Sequence, residues 1–506
     1  MSSFTALQAL VHSLSKAEKR YFKLFCDLQT GNKIYFCLYQ LLEKKEYGPE
    51  EITTIMSKKY PEAVIETARK HLYRMLMKSL RSFESDKAIE NRLMQRIQDI
   101  KILFNKGLLE LCFGELERAM ELALKYEKFS YYLILARLEL QYLTLLEFPD
   151  TDENALITKQ EKINQVLHQE QWINRHFTLD EVLLHRYLHN GPVRSQLEIN
   201  KLNDLLLEEF QVISNKHHHS ILSKKLHLHF QSTYFLMTGN HPESLHLFKQ
   251  LLVLFQAHQH LLLDSPLYYI YLINGILTDL RSMRQHREMP YFIDCLRRIE
   301  PASESLALFI QHLLYLHQII LALDLGNYAQ GEILIQTYKK EILNKVKVIP
   351  PNADATIHLA MALIYFGLHQ FPTALHHVNY VLHQSSKYIS HQVYSLCRIL
   401  RLIIQVELKN DDYLYYELRS VERKLKAEEK LFKTEKLTIQ FLKKWIASNR
   451  APKHLELFFR NVKEIMQDPY ENQLLTWFDF ISWTEAKLTR QTYAQLIQAK
   501  NKEMVC

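Results

Sequence analysis

Arg398, Arg401, Gln405 and Lys409 are spaced by three and four, which sets them along one face of a helix. Two arginines on one face offer planar forks that grip carboxylates at two points. The chemistry expected there is capture of an acidic protein segment. Lys70, Arg74, Lys78 and Arg81 form a second basic stripe, opposite Leu72, Leu76 and Leu80. With a preceding helix over Glu51 to Lys59, this stripe reads either as a helix-turn-helix reading helix set against phosphates or as a solvated helix face. No glycine-turned hairpin follows; Ser82-Phe83-Glu84-Ser85-Asp86 leads into more helix, so a winged version is not expected. Glu181, His185 and His189 are spaced by four and share a face, a legal geometry for metal ligands. They have no HExxH motif and no cysteine partner, so no metal is expected. His217-His218-His219 is consecutive and would splay its rings on a helix, which favours a loop.

For catalysis the chain offers no motif. It has no GxSxG, no phosphate-binding glycine loop and no dinucleotide fingerprint. With 10 glycines in 506 residues the last two are nearly excluded. Neither enzyme activity nor a cofactor is expected.

The elements that would hold these residues follow from a turn that recurs about every 43 residues. Gly107, Gly239, Gly326 and His369 occupy it, at intervals of 132, 87 and 43. Two residues later stands Leu109, His241, Tyr328 or Phe371. Five residues later stands a small residue: Cys112, Ser244, Gly331 or Ala374. The spacing predicts further turns near 151, 195 and 283, where Phe148 to Asp152, Asn190-Gly191-Pro192 and Ser282 to His286 supply turn residues. Lys409-Asn410-Asp411-Asp412 gives one more. A period of this length marks stacked helix pairs. Eight antiparallel pairs are expected over 91–428 in a right-handed α-solenoid. Breaks between pairs are expected near Lys128 to Ser130, Lys216 to Ser220, Asp264 to Pro266, Glu300 to Ser303, Pro350 to Asn352 and Gln384 to Ser386. Residues 150–215 fit this phase worst.

Residues 1–90 stand outside the period and read as a helical N-terminal unit. Ser15-Lys16-Ala17-Glu18 is a capping box, and Gln29 to Asn32 breaks the helix it opens. Gly48-Pro49-Glu50-Glu51 and Pro61-Glu62 start two more, with proline in the first turn, where its missing N–H costs little. Residues 429–506 are expected to cap the other end and shield the last apolar face. The 13 prolines and few glycines, set against 47% apolar residues, point to a chain that is above roughly two-thirds helix with no sheet.

Six cysteines (Cys26, Cys37, Cys112, Cys295, Cys397, Cys506) lie without CxxC pairs, as expected of free thiols in a reducing compartment. The start, Met1-Ser2-Ser3-Phe4, lacks the pattern of a signal peptide, and no uninterrupted apolar run of about 18 residues is read as a membrane span. A cytoplasmic location is expected. The net charge of +7 is concentrated: residues 415–466 carry 13 Lys/Arg and 7 Asp/Glu, a surplus of +6 that would draw in an acidic partner or simply coat a helix face.

From Ala360 to Val381 the chain resembles a tetratricopeptide repeat. Ala362, Tyr365, Phe371 and Ala374 match its small, tyrosine, tyrosine and alanine positions; His358 replaces the tryptophan and the terminal proline is absent. Tyr416 replaces the small residue in the last repeat, which must pack differently. The whole chain, beginning with Leu14-Ser15-Lys16-Ala17-Glu18-Lys19-Arg20-Tyr21-Phe22-Lys23, is similar to a family of uncharacterised bacterial tetratricopeptide-like proteins. The resemblance implies a cytoplasmic scaffold whose first helices line a groove. Its groove positions fall on Ile270, Ile273 and Leu277; on Leu313, Leu316, Ile320 and Leu323; and on Leu359, Leu363 and Phe366. These are apolar, unlike the Lys, Arg and Asn of family members that clamp a carboxylate. Such a groove is either filled from within or takes an apolar helix. In the last repeat the same positions read Arg398, Arg401, Gln405 and Lys409. The partner expected is another protein, through an acidic or amphipathic segment; a nucleic acid is the alternative.

Overall fold

Scarce glycine and proline leave little to interrupt a helix, and the computed structural model is 82% helix with no strand among the described residues. That meets the two-thirds expectation. The structure describes the chain apart from residues 1–3, 30–32, 45, 215–219, 263–265, 302, 344–348, 429–430, 469, 472–474, 490 and 504–506. The His217-His218-His219 run, Cys506 and parts of the breaks expected at 29–32, 216–220 and 264–266 lie outside the described residues. The chain divides into two units, Met1–Leu167 and His168–Cys506.

Unit 1 begins with α1 (Phe4–Ser13), α2 (Lys16–Asp27), α3 (Ile34–Glu43), α4 (Pro49–Ser57) and α5 (Glu62–Phe83). The capping box at α2 forms: Glu18 N–H donates to Ser15 Oγ at 3.2 Å, and Ser15 N–H to Glu18 Oε2 at 2.7 Å. Gly48 N–H donates to Glu51 Oε2 at 2.9 Å to open α4. Leu7, Phe22, Leu38, Tyr39, Ile52, Leu72 and Leu76 bring one residue or more from each of these helices into a shared core. Then follow α6 (Ile89–Asn105), α7 (Leu109–Lys125) and α8 (Phe129–Leu145). Helix α9 (Glu153–Asn190) contains the boundary between the units.

Unit 2 continues through α10 (Gln196–Asn200), α11 (Asn203–Ile213), α12 (Ile221–Thr238), α13 (His241–Ala257), α14 (Gln259–Leu262), α15 (Pro266–Ser282) and α16 (Met289–Arg297). After these come α17 (Glu304–Asp324), α18 (Tyr328–Tyr338), α19 (Pro351–Gly367), α20 (Phe371–His383), α21 (His391–Glu407) and α22 (Asp411–Ala427). Helices α23 (Lys433–Ala447) and α24 (Pro452–Ile465) follow, and two closing helices, Phe480–Thr489 and Tyr493–Glu503, end the chain. Neighbours in sequence pack as pairs: α6 on α7, α12 on α13, α17 on α18, α19 on α20.

Each turn expected from the period ends a helix. Gly107, Gly191, Gly239 and Gly326 all take positive φ there, and at Gly239 and Gly326 φ is 81° and 73°. An L side chain is strained in that conformation, yet Phe148, Arg284, His369 and Lys409 adopt it at the equivalent turns of other pairs. The small residue five positions on is a contact point. Cys112 Sγ and Ser244 Oγ each donate to a carbonyl 12 residues back, on Ile100 and Ser232. A Cβ added at Gly331 would lie 2.5 Å from Ile364 Cδ1, and Ala374 is fully buried. Residues 150–215, which fit the period worst, hold one long helix: α9 runs unbroken for 38 residues across 153–190. Nothing between Pro149 and Gly191 is a glycine or a proline, so nothing there stops a helix.

Helix α17 is long and apolar enough to cross a membrane by length and composition. Here it packs against α15, α16, α18 and α19 and buries His312 and His317 among them.

Candidate functional site

The groove positions are all buried. The chain's own final segment meets unit 2 two or three residues before the turn in each of four pairs. At the end of α15, Arg281 donates to Asp324 at 2.8 and 3.0 Å and to the Thr476 carbonyl at 3.4 Å, with its guanidinium 4.0 Å from the Trp477 ring centre. After α17, Asn501 Nδ2 donates to the Asp324 carbonyl at 2.7 Å and Gln498 Nε2 to the Gly326 carbonyl at 2.9 Å. Both satisfy acceptors that a helix C-terminus leaves open. Near the end of α19, Phe366 sits edge-on to Phe478 and Tyr493. At the end of α21, Glu407 accepts from Trp483 Nε1 at 2.7 Å and pairs with Lys487. Arg281, Asp324, Phe366 and Glu407 stand 43, 42 and 41 residues apart, so the closing segment reads the repeat as a ligand would. A cavity of about 340 Å³ remains between Arg281, Asp324, Trp477, Asp479 and Lys500. Burial alone would push the Asp479 carboxyl up, but Lys500 at 2.7 Å and Ser482 hold it below the usual carboxylate range.

A buried charge cluster anchors the same segment. Arg194, just past the Gly191 turn, pairs with Glu435 and Glu471, and its guanidinium lies over the Phe432 ring. Glu471 also accepts from the backbone N–H groups of Lys433 and Thr434, at 3.0 and 3.1 Å, and so caps α23. The final residues do more than shield the last apolar face, since they share one core with residues from Leu228 onward.

The stripe Arg398, Arg401, Gln405, Lys409 is not an open face, which corrects the expectation drawn from its spacing. Arg398 is buried, donates to both Glu428 oxygens at 2.8 and 3.0 Å and lies against Tyr394. Its hydrogen bond holds the Glu428 carboxyl below the usual range. Arg401 is paired with Glu417. Gln405 is buried and accepts from Asn410 at 2.7 Å, while Lys409 forms the exposed turn. The cause is α21 itself: Leu396, Cys397, Ile399, Leu400, Leu402, Ile403, Ile404 and Val406 are all buried, so the helix is covered on every side.

The stripe on α5 has the opposite fate. Lys70, Arg74, Lys78 and Arg81 are all exposed. Lys70 pairs with Glu66 at 3.4 Å, and Lys78 lies 5.9 Å from the Phe25 ring centre.

Histidines are used inside. His358 and His377 share a hydrogen bond between their Nδ1 atoms at 3.0 Å; His312 Nδ1 meets Tyr338 Oη at 2.9 Å, and His317 Nε2 meets Asn274 at 2.8 Å. Burial lowers His312 and His358 to about 4 and His317 and His377 to about 3, so all four are neutral at pH 7. Ser244, His241 and Asp279 come together, but as no triad. Serine and histidine both bond to the Asp279 carboxylate, at 2.7 and 2.8 Å, and that serine bond hands no proton to the imidazole. His185 and His189 lie with ring centres 4.3 Å apart, and among the described residues no group of three His, Cys, Asp or Glu side chains is gathered for a metal. Cys26, Cys112 and Cys397 are buried free thiols, and burial raises each one.

Arg194, Arg281 and Glu407 escape a reading by spacing. Their partners lie far off in sequence, up to 277 residues for Arg194 and Glu471, so no local signal marks them. Neither a scan against protein-family models nor a search of curated proteins returns a match for this chain.

Proposed function

We propose that this chain is a non-catalytic protein-interaction scaffold of the cytoplasm, a right-handed solenoid of tetratricopeptide-like helix pairs whose inner side is occupied by its own C-terminal segment. Binding then falls to the outer helices. The observation that carries this reading is the residue seven positions past each of the five turns from Gly239 to Lys409: His246, Tyr291, Ile333, His376 and Tyr416. They follow one another at steps of 45, 42, 43 and 40 residues, and every one is exposed. Single exposed apolar side chains are ordinary. A large one at the same position of successive pairs is a repeated contact, and aromatic anchors of this kind dominate protein interfaces. The partner is a protein that matches the repeat. The test is affinity purification from cell extract, with nuclease, of the wild type and of a Tyr291→Ser, Ile333→Ser, Tyr416→Ser variant. Specific protein partners retained by the wild type and lost by the variant support the reading. Partners retained equally by both, or none above control, overturn it.

A further inference from the structure

The N-terminal helices carry a separate surface. Helix α4 ends at Ser57, four residues from Lys58 to Pro61 make the turn, and α5 begins at Glu62. Both pack against α3 as well as each other. This is the plan of a helix-turn-helix, in which the second helix is held by its inner face and offers the outer one. The inner face of α5 is Ile65, Ala68, Leu72, Met75, Leu76 and Ser79, all buried. At 100° per residue, the line opposite runs Ala63, Thr67, Lys70, Arg74, Lys78, Arg81, and all six are exposed. No acidic residue stands on that line. Glu62 and Glu66 lie to one side, and between Glu66 and Glu84 every ionisable group that is charged at neutral pH is a cation.

We propose that the outer face of α5 binds duplex DNA, with α5 in the major groove. Shape decides between polyanions. A helix face standing out from its own core is a convex ridge, and a convex ridge needs a concave partner. The major groove, about 12 Å wide, admits one α-helix and is walled by phosphates. An acidic peptide would instead need a groove on this protein. The four cations span 12 residues, about 16 Å of helix, so they reach phosphates on both walls as well as base edges. Ala63 and Thr67 at the leading end are small enough to let the backbone approach, and both residue types suit contact with a thymine methyl.

The test is fluorescence anisotropy of a labelled mixed-sequence 25-base-pair duplex with the full chain, from 50 to 200 mM salt. Binding is expected at 50 mM, weakening steeply with salt. Changing Lys70, Arg74, Lys78 and Arg81 together to Gln should weaken binding at 50 mM at least tenfold and flatten the salt slope by about 3–4, with an unchanged circular dichroism melt. No binding by the wild type at 50 mM, or equal binding by the variant, overturns the proposal. So does displacement of the duplex by polyglutamate at equal charge, which would make the ridge a site for acidic peptides.

Discussion

Helices α5 and α21 carry basic residues at three-and-four spacing, yet the α5 row faces solvent and the two α21 arginines are paired within the chain. The Arg398 side chain is 9% exposed and its charge is met within the chain, whereas Arg74 and Arg81 are exposed on a ridge. Charge spacing places residues on a face. The apolar residues around them decide where that face goes. On α5 the apolar positions form one stripe, so the opposite side is left to water. On α21 they surround the helix, and a polar residue there must find a partner or pay a desolvation cost.

If the interior of unit 2 is as closed as this contrast requires, acid should open it, and this is the largest effect expected. The folded-state values of His312, His317, His358 and His377, about 4, 3, 4 and 3, lie below the unfolded value near 6.5. As pH falls from about 6.5 toward 4 the unfolded chain takes up protons that the folded chain refuses, so stability falls with pH. Asp279 and Glu209, raised by burial, act in the opposite direction, but Glu428 and Asp479, held low, add to the loss. The melting temperature should drop continuously from pH 7 to pH 4; a flat profile would mean the imidazoles are hydrated.

Arg194→Ala should come next. It strands Glu435 and Glu471, both buried, and breaking such a network costs about 3–5 kcal/mol in urea denaturation. A loss under about 1 kcal/mol would show that the closing segment is held by its aromatic residues alone. Ala374→Leu sharpens the repeat rather than the charge. Overpacking that fully buried position should cost about 1–3 kcal/mol, and an unchanged melt would contradict the pairing of α19 with α20.

Much of this was legible. The turns at Gly107, Gly239, Gly326 and His369, with the small residue five on, follow from a period that needs no long-range information. The capping box at Ser15 is equally local. Two things were not. The unbroken α9 fills the one stretch, 150–215, whose phase the period left poorly set. The return of residues 471–501 to Arg194, Arg281, Asp324, Phe366 and Glu407 joins positions up to 277 residues apart, and nothing local marks such a pairing. Burial is not legible either: apolar Leu313, Leu316 and Phe366 read equally well as open or covered, and Phe366 is covered by Phe478 and Tyr493 from that return.

The most direct test of the contrast is urea denaturation of two matched charge reversals, Arg398→Glu with Arg401→Glu, and Arg74→Glu with Arg81→Glu. Both exchange two arginines for two glutamates at helical spacing. The α21 pair should lose about 2–3 kcal/mol, because the new carboxylates would face Glu428 and Glu417 in a covered site. The α5 pair should stay within about 0.5 kcal/mol of the wild type. Equal losses from the two pairs, or a larger loss from α5, would contradict the account.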